Sequence, residues 1–273
     1  MMTASSDSRD YLLGGKKSAF RRYRIFDEIY RPATVDRLAT LRLAPDMNIL
    51  AIGCGIGETA CYMAKTIVPE GHVTAFDESA DLVAVAEEQA SAAGIDNVTF
   101  ACAKAQEFDY EPERFDLAHT RYVLSYSTDA RSIVAKVYGA VKPSGIFFGE
   151  EIAQIYVKWN EPKWFDELTG WFARLIEAGG GMASYGLDRL PPDMLAAGFE
   201  ALHVTACCPI EDQARIVEML RLALSREMRD PLIEHQIATA DDIDAAVAAM
   251  SAPIGDYLIS AAMVVQAIGR KPR

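Results

Sequence analysis

The stretch that most constrains this chain is Asn48-Ile49-Leu50-Ala51-Ile52, a short apolar run that passes straight into Gly53-Cys54-Gly55-Ile56-Gly57 and then Glu58. A run of that length, apolar on successive residues and ended by glycine, reads as a parallel strand buried on both faces. The turn behind it leads into a helix over 58–67. Glycines let backbone approach a bound molecule closely, and the first N–H groups of the following helix have no partner within it. A ligand is therefore expected across this turn, with a tight structural turn as the alternative.

The same alternation continues downstream. Val73 to Phe76 reads as a second strand closed by Asp77, and Asp81 to Ala93 as a helix stopped at Gly94. Asn97 to Cys102 and Phe115 to His119 are the third and fourth strands, Asp129 to Val141 a helix ending at Pro143-Ser144-Gly145, and Ile146 to Ile152 the fifth strand. Strand and helix in strict succession call for a parallel, doubly wound α/β sheet covered on both faces.

Outside this block the pattern is helical. Apolar positions from Ser18 to Leu43 predict two helices split near Pro32. Trp164, Phe165, Leu168, Trp171, Phe172, Leu175 and Ile176 share one helical face, halted by Gly179-Gly180-Gly181. That stripe reads as core, with a pocket wall as the other reading. Helices follow at 191–197, 214–224 and 241–250, with strands at Glu200 to Cys207 and Leu258 to Ile268.

The spacing of the glycines is GxGxG. A dinucleotide fingerprint needs Gly or Ala where Glu58 stands, so NAD is disfavoured. Asp77, twenty residues beyond Gly57, ends the second strand, where a carboxylate can accept both hydroxyls of a ribose lying over the turn. Without the glycines it would read only as a helix cap.

Charge and cysteine content narrow the class. The net charge of −12 repels polyphosphate and anionic lipid, and Arg21, Arg22 and Arg24 form too short a cluster to reverse that, so neither nucleic acid nor membrane is an expected partner. Five cysteines without metal spacing read as reduced thiols of a cytoplasmic protein, with no metal site. The longest uncharged candidate, Tyr257 to Gly269, falls short of the roughly 18 residues a membrane span needs.

Ile49 to Gly57, Val73 to Asp77, Phe115-Asp116-Leu117 and Val141-Lys142-Pro143-Ser144-Gly145 together resemble the class I S-adenosylmethionine-dependent methyltransferases, in that family's order. The resemblance is strongest over 45–153. Weaker similarity to flanking segments of the family's small-molecule enzymes lies in Tyr11-Leu12-Leu13-Gly14-Gly15, in Ala178-Gly179-Gly180 and in Leu195 to Phe199. It implies a Rossmann-like, doubly wound, mostly parallel seven-stranded sheet with helical lid insertions. Residues 1–44 would form an N-terminal helical lid, 45–153 the cofactor-binding core, and 154–273 the rest of the same domain, with helices capping the substrate.

By the same resemblance Gly53, Gly55 and Gly57 pass beneath the methionine part of S-adenosylmethionine, Asp77 holds the ribose, and Glu78 and Leu82 lie alongside sugar and adenine. Ala105 and Gln106 border the adenine, and Arg121 stands at the ligand mouth. Three positions depart from the family's pattern. Ala51 replaces an acid that orients the cofactor's amino group. Lys104, a donor only, replaces an Asp that accepts from adenine. Tyr126 replaces a histidine, and a hydroxyl of ordinary pKa near 10 is a poor base at neutral pH.

The candidate reacting groups are His119, at the ligand-binding end of the fourth strand, Tyr126, and Glu151, with Glu150 beside it. A structural histidine is the alternative for His119, and one of the two glutamates is expected to face the pocket. The leading function is methyl transfer to a small, partly apolar metabolite, of the kind met in natural-product biosynthesis. No Asn-Pro-Pro-Tyr-like segment points to a nucleobase. The rivals are a cofactor-binding enzyme that does not methylate, such as a cyclase, and a catalytically silent binding protein. A homodimer is left open as the assembly.

Overall fold

The computed structural model of the chain describes residues 20–210 and 212–273. The Tyr11 to Gly15 similarity and residues 1–19 of the expected lid lie outside the described residues. The first element, α1 (Phe20–Thr40), is one helix running through Pro32, not two. Proline removes the N–H that would bond the carbonyl of Glu28, a loss of about 3 kcal/mol in a helix interior. Both residues are exposed, whereas Tyr30, Thr34 and Leu38 on the opposite face are buried, so packing carries the helix past the proline.

The core follows as β1 (Asn48–Ile52), α2 (Glu58–Tyr62, continued by a π turn Met63–Ile67), β2 (His72–Asp77), α3 (Ala80–Ala92), β3 (Val98–Cys102) and β4 (Phe115–Arg121). Next are a 3-10 turn (Leu124–Tyr126), α4 (Ala130–Ala140) and β5 (Val141–Ile152). The remainder contains β6 (Lys158–Trp159), α5 (Lys163–Ala178), α6 (Tyr185–Asp188), α7 (Leu190–Ala197), β7 (Glu200–Cys207) and α8 (Gln213–Ala223). A π turn (Leu224–Met228), α9 (Arg229–Glu234), α10 (Ala240–Met250), β8 (Leu258–Ile259) and β9 (Val264–Arg270) complete the described chain.

Seven strands form one sheet in the order β3-β2-β1-β4-β5-β9-β7. The first five are parallel, and β9 runs antiparallel to both β5 and β7. Strand order reverses between β1 and β4, which opens a crevice above their C-terminal ends. The glycine turn and the loop after β4 both rise from that point.

Alternation along β1 explains why the sheet is covered on both sides. Leu50 and Ile52 pack in one core with Phe147 and Phe199, and Ile49 and Ala51 in another with Val73 and Phe148. A third core, built by α1, α5, α8 and α10, contains Tyr30, Trp164, Phe165, Met219 and Ile243. The aromatic stripe of α5 is thus mainly core.

The expected final strand is divided. Leu258–Ile259 pairs with β6 in a small separate sheet, while Val264–Arg270 joins the main one. Between them Ser260 is fully buried, its Oγ accepting from the N–H of Val157 at 2.8 Å, so the chain crosses from one sheet to the other. No described helix is long and apolar enough to cross a membrane.

Candidate active site

Gly53, Gly55 and Gly57 all have positive φ, at 65°, 56° and 80°, a region L side chains avoid. Their surroundings differ. A Cβ on Gly53 would stand 2.1 Å from Val123 Cγ2, and one on Gly57 would stand 2.7 Å from Ala86 Cβ. These two glycines allow the turn to pack against the loop after β4 and against α3. A Cβ on Gly55 would meet nothing nearer than Tyr23 Cδ1 at 3.7 Å, so this is the glycine open to a ligand. Gly57, expected beneath the methionine, lies outside the cavity wall.

Asp77 faces this turn from the end of β2. Its Oδ2 accepts from the N–H of Gly55 at 2.9 Å and its Oδ1 from the N–H of Ser79 at 3.0 Å. Burial pushes its carboxyl above the ordinary value, and the N–H groups of Ser79, Gly55 and Glu78 partly offset that. Glu78 is exposed and lines the cavity. Leu82 is buried within α3, away from the cavity wall, its N–H donating to the Ser79 cap.

Ala105 and Gln106 border the cavity, and Lys104 does so with an exposed side chain. The carbonyl of Ala105 accepts from Tyr110 Oη at 2.9 Å, and the Gln106 amide donates to Ser127 Oγ at 3.0 Å.

Arg121, at the end of β4, is clamped. Its guanidinium donates to Asp27 Oδ1 at 2.7 Å, Thr34 Oγ1 at 3.1 Å and Thr59 Oγ1 at 3.3 Å. It therefore ties β4 to α1 and α2 while forming part of the cavity wall. Asp27, Thr34 and Thr59 were not singled out from sequence. Asp27 and Thr34 lie seven residues apart on the buried face of α1, so inward-facing polar positions on an amphipathic helix were the available signal.

His119 lines the cavity at 4% exposure, with Nε2 2.7 Å from Glu150 Oε2. Glu150 also accepts from Thr34 Oγ1 and from Gln266 Nε2 at 2.8 Å. Burial acts to raise its carboxyl, but His119, Arg121 and Gln266 outweigh that and hold it below the ordinary range. Glu150 is thus the ionised partner of His119.

Glu151 points the other way. Its carboxylate accepts from the N–H groups of Val123, Leu124 and Ser125 and from Ser125 Oγ, and burial pushes it up to about 7. It lies outside the cavity wall, where it positions the 3-10 turn after β4 instead of facing a substrate. Successive residues of β5 alternate faces, so only one of the two glutamates could serve the cavity side. Tyr126 does line the cavity, and burial raises its hydroxyl far above neutral pH, so it stays protonated there.

Gly53, Gly55, Asp77, Glu78, Lys104, Ala105, Gln106, His119, Arg121 and Tyr126 border one cavity of 960 Å³, whereas Gly57, Leu82, Glu150 and Glu151 lie outside its wall. Its far wall presents the apolar side chains of Leu168 and Phe172 of α5, Met219 of α8 and Met228 of the π turn, with Arg226, Glu227, Asp230 and Glu234 beside them. Among the described residues no cluster of three or more His, Cys, Asp or Glu is arranged to hold a metal.

A family described as a methyltransferase domain matches residues 43–189, just over half the chain. The chain belongs to the methyltransferase-domain family. Demethylmenaquinone methyltransferase of Listeria monocytogenes is 26% identical over 137 residues, 50% of this chain and 56% of that protein. The chain thus spans about half the length of the curated relatives it matches. Among solved structures, the YcgJ protein of Bacillus subtilis superposes with a TM-score of 0.60 at 16% identity, covering 87% of this chain and 97% of that one. The [4+2]-cyclase SpnF superposes with a TM-score of 0.56 at 20% identity, covering 88% and 81%. These structural likenesses establish the shared fold.

The cofactor of the methyltransferase-domain family is S-adenosylmethionine, and the residues present fit it. The Cα of Gly55 opens onto the cavity, and the Asp77 carboxylate keeps acceptor capacity beyond its backbone partners. Glu58, the residue that argues against a dinucleotide, is turned towards Arg31 at 3.6 Å.

Proposed function

We propose that this chain transfers a methyl group from S-adenosylmethionine to a small, partly apolar acceptor enclosed by α1, α5 and the α8 segment. The supporting observation is the continuity of one cavity from the glycine turn and Asp77 to the apolar wall of Leu168, Phe172, Met219 and Met228. The acceptor named for the curated relatives, demethylmenaquinone, is also partly apolar.

S-adenosylmethionine, when bound, supplies an electrophilic methyl carried on a sulfonium. In this reading Asp77 accepts from the ribose hydroxyls while keeping its bond to Gly55. The backbone at Gly53 and Gly55 lies against the methionine part, and the adenine lies by Ala105 and Gln106, with Lys104 turned to solvent. Transfer in line to a nucleophile depends mainly on alignment and a dry enclosure, which the lid helices provide. His119, held by Glu150, is the basic group that borders the cavity, and the Tyr126 hydroxyl is a hydrogen-bond donor to the acceptor molecule.

Incubation with methyl-labelled S-adenosylmethionine and a panel of apolar hydroxylated aromatics tests this. Labelled product with stoichiometric S-adenosylhomocysteine is the expected result. Cofactor binding with product but no cofactor consumed would replace the reading with a non-methylating reaction.

A further inference from the structure

One wall of the cavity carries a buried ion pair. Arg22 Nε of α1 lies 2.6 Å from Glu227 Oε1 of the π turn, with side chains only 8% and 2% exposed. The second oxygen, Glu227 Oε2, is buried with no hydrogen-bond partner among the described residues, and Glu227 lines the cavity. A buried carboxylate oxygen left without a donor is destabilising, so a donor entering the cavity would recover that loss. The π turn contributes as well, because its extra residue re-aims the side chains that follow the regular helix of α8.

The position is on the acceptor side. The Arg22 guanidinium lies 4.2 Å from the centre of the Tyr23 ring, and that ring is the nearest group to a Cβ placed on Gly55. Glu227 is therefore separated from the glycine turn by Arg22 and Tyr23, and it sits beside Met228 and near Met219 on the apolar wall.

The surroundings also select the donor. Burial raises the Glu227 carboxyl, while Arg22 and Arg226 favour its charged form. Both guanidiniums already favour this carboxylate, so it does not need a cationic ligand as partner. A neutral O–H on an otherwise apolar molecule meets neither repulsion nor a large desolvation cost.

Resting on the methyl-transfer reading, we propose that Glu227 is a specificity-determining anchor, whose Oε2 accepts a hydrogen bond from a neutral hydroxyl on an apolar acceptor substrate. The pair that tests it is 2-naphthol and naphthalene, titrated into the full chain with and without saturating S-adenosylhomocysteine and followed by calorimetry. The chain should bind 2-naphthol about tenfold tighter than naphthalene, the equivalent of one recovered hydrogen bond. Glu227→Gln, which keeps an acceptor, should retain most of that preference.

Removing Glu227 alone would strand Arg22, so the decisive variant is the double change Arg22→Met with Glu227→Met, which removes the pair and keeps the volume. Its preference should fall to about twofold or less, with S-adenosylhomocysteine still bound as proof of folding. Equal affinity of the wild-type chain for the two probes, including no measurable binding of either, overturns the proposal, as does a preference that survives the double change. Failure of S-adenosylhomocysteine to bind the wild-type chain would count against the methyl-transfer reading. The naphthol comparison without it would still decide the role of Glu227.

Discussion

Asp77 Oδ2 and the N–H of Gly55 lie 2.9 Å apart, so the acid expected to hold the ribose also fixes the turn over which the ribose would lie. Asp77→Ala removes both functions and should weaken S-adenosylhomocysteine binding by about 1–3 kcal/mol. Asp77→Asn keeps one acceptor oxygen for the two N–H groups and should lose less. Isothermal calorimetry with S-adenosylhomocysteine measures both, and unchanged affinity in the alanine variant would remove Asp77 from the ribose site.

The three glycines should separate by what surrounds them. Gly57→Ala combines a positive φ with a Cβ 2.7 Å from Ala86 Cβ and should cost about 3 kcal/mol of stability. Gly55→Ala has room for its Cβ and should cost only about 1 kcal/mol from its backbone conformation. Urea unfolding of both variants gives the comparison, and equal losses would contradict the packing role of Gly57.

Glu150 anchors His119, Thr34 and Gln266 between β4, β5, α1 and β9. Glu150→Ala leaves those donors buried without their acceptor and should destabilise the fold by about 3–5 kcal/mol. The native carboxyl lies below its ordinary value, so the native state binds fewer protons than the unfolded one in the acid range. This contribution is present above the unfolded pKa and is lost as pH falls through the native one. Glu150→Gln should therefore flatten the acid limb of a plot of unfolding free energy against pH.

The neighbouring residue behaves oppositely. Burial lifts Glu151 to about 7, so the native state holds its proton longer than the unfolded chain. Its contribution is complete below an unfolded pKa of about 4.3 and is lost as pH rises through 7, by about 4 kcal/mol in all. Glu151→Gln should remove that decline between pH 5 and 8. Unfolding curves at pH 5 and 8 for both forms test it, and an unchanged slope would mean that Glu151 does not titrate in this window.

Much of the core was legible because it depends on local pattern. The run Asn48 to Ile52, the glycines behind it and Asp77 at the end of the next strand are close in sequence, and strand and helix periodicity shows them without knowledge of the rest. Where local pattern and packing disagreed, packing prevailed. Pro32 stayed within α1 because Tyr30, Thr34 and Leu38 are buried on the opposite face, and 258–268 divided because Ser260 bonds to Val157.

The candidate site was legible at its proposed cofactor end and less so at its proposed reacting end. Its proposed acceptor end brings Asp27 of α1, His119 and Arg121 of β4 and Glu227 of the π turn to the cavity, with Thr34 of α1, Glu150 of β5 and Gln266 of β9 bonded behind His119. Nothing in the spacing of those residues announces their meeting.

From sequence alone, then, came the doubly wound sheet, its ligand-binding edge and the turn and acid that mark the cofactor position, since each follows from backbone periodicity and the special conformations of glycine. Only tertiary structure decided that Glu150 faces His119 while Glu151 caps a turn, that Arg121 is clamped by Asp27, and that Glu227 meets the cavity. The physical reason is that burial, pairing and the resulting proton affinities belong to groups brought together from distant parts of the chain, and no local stretch encodes them.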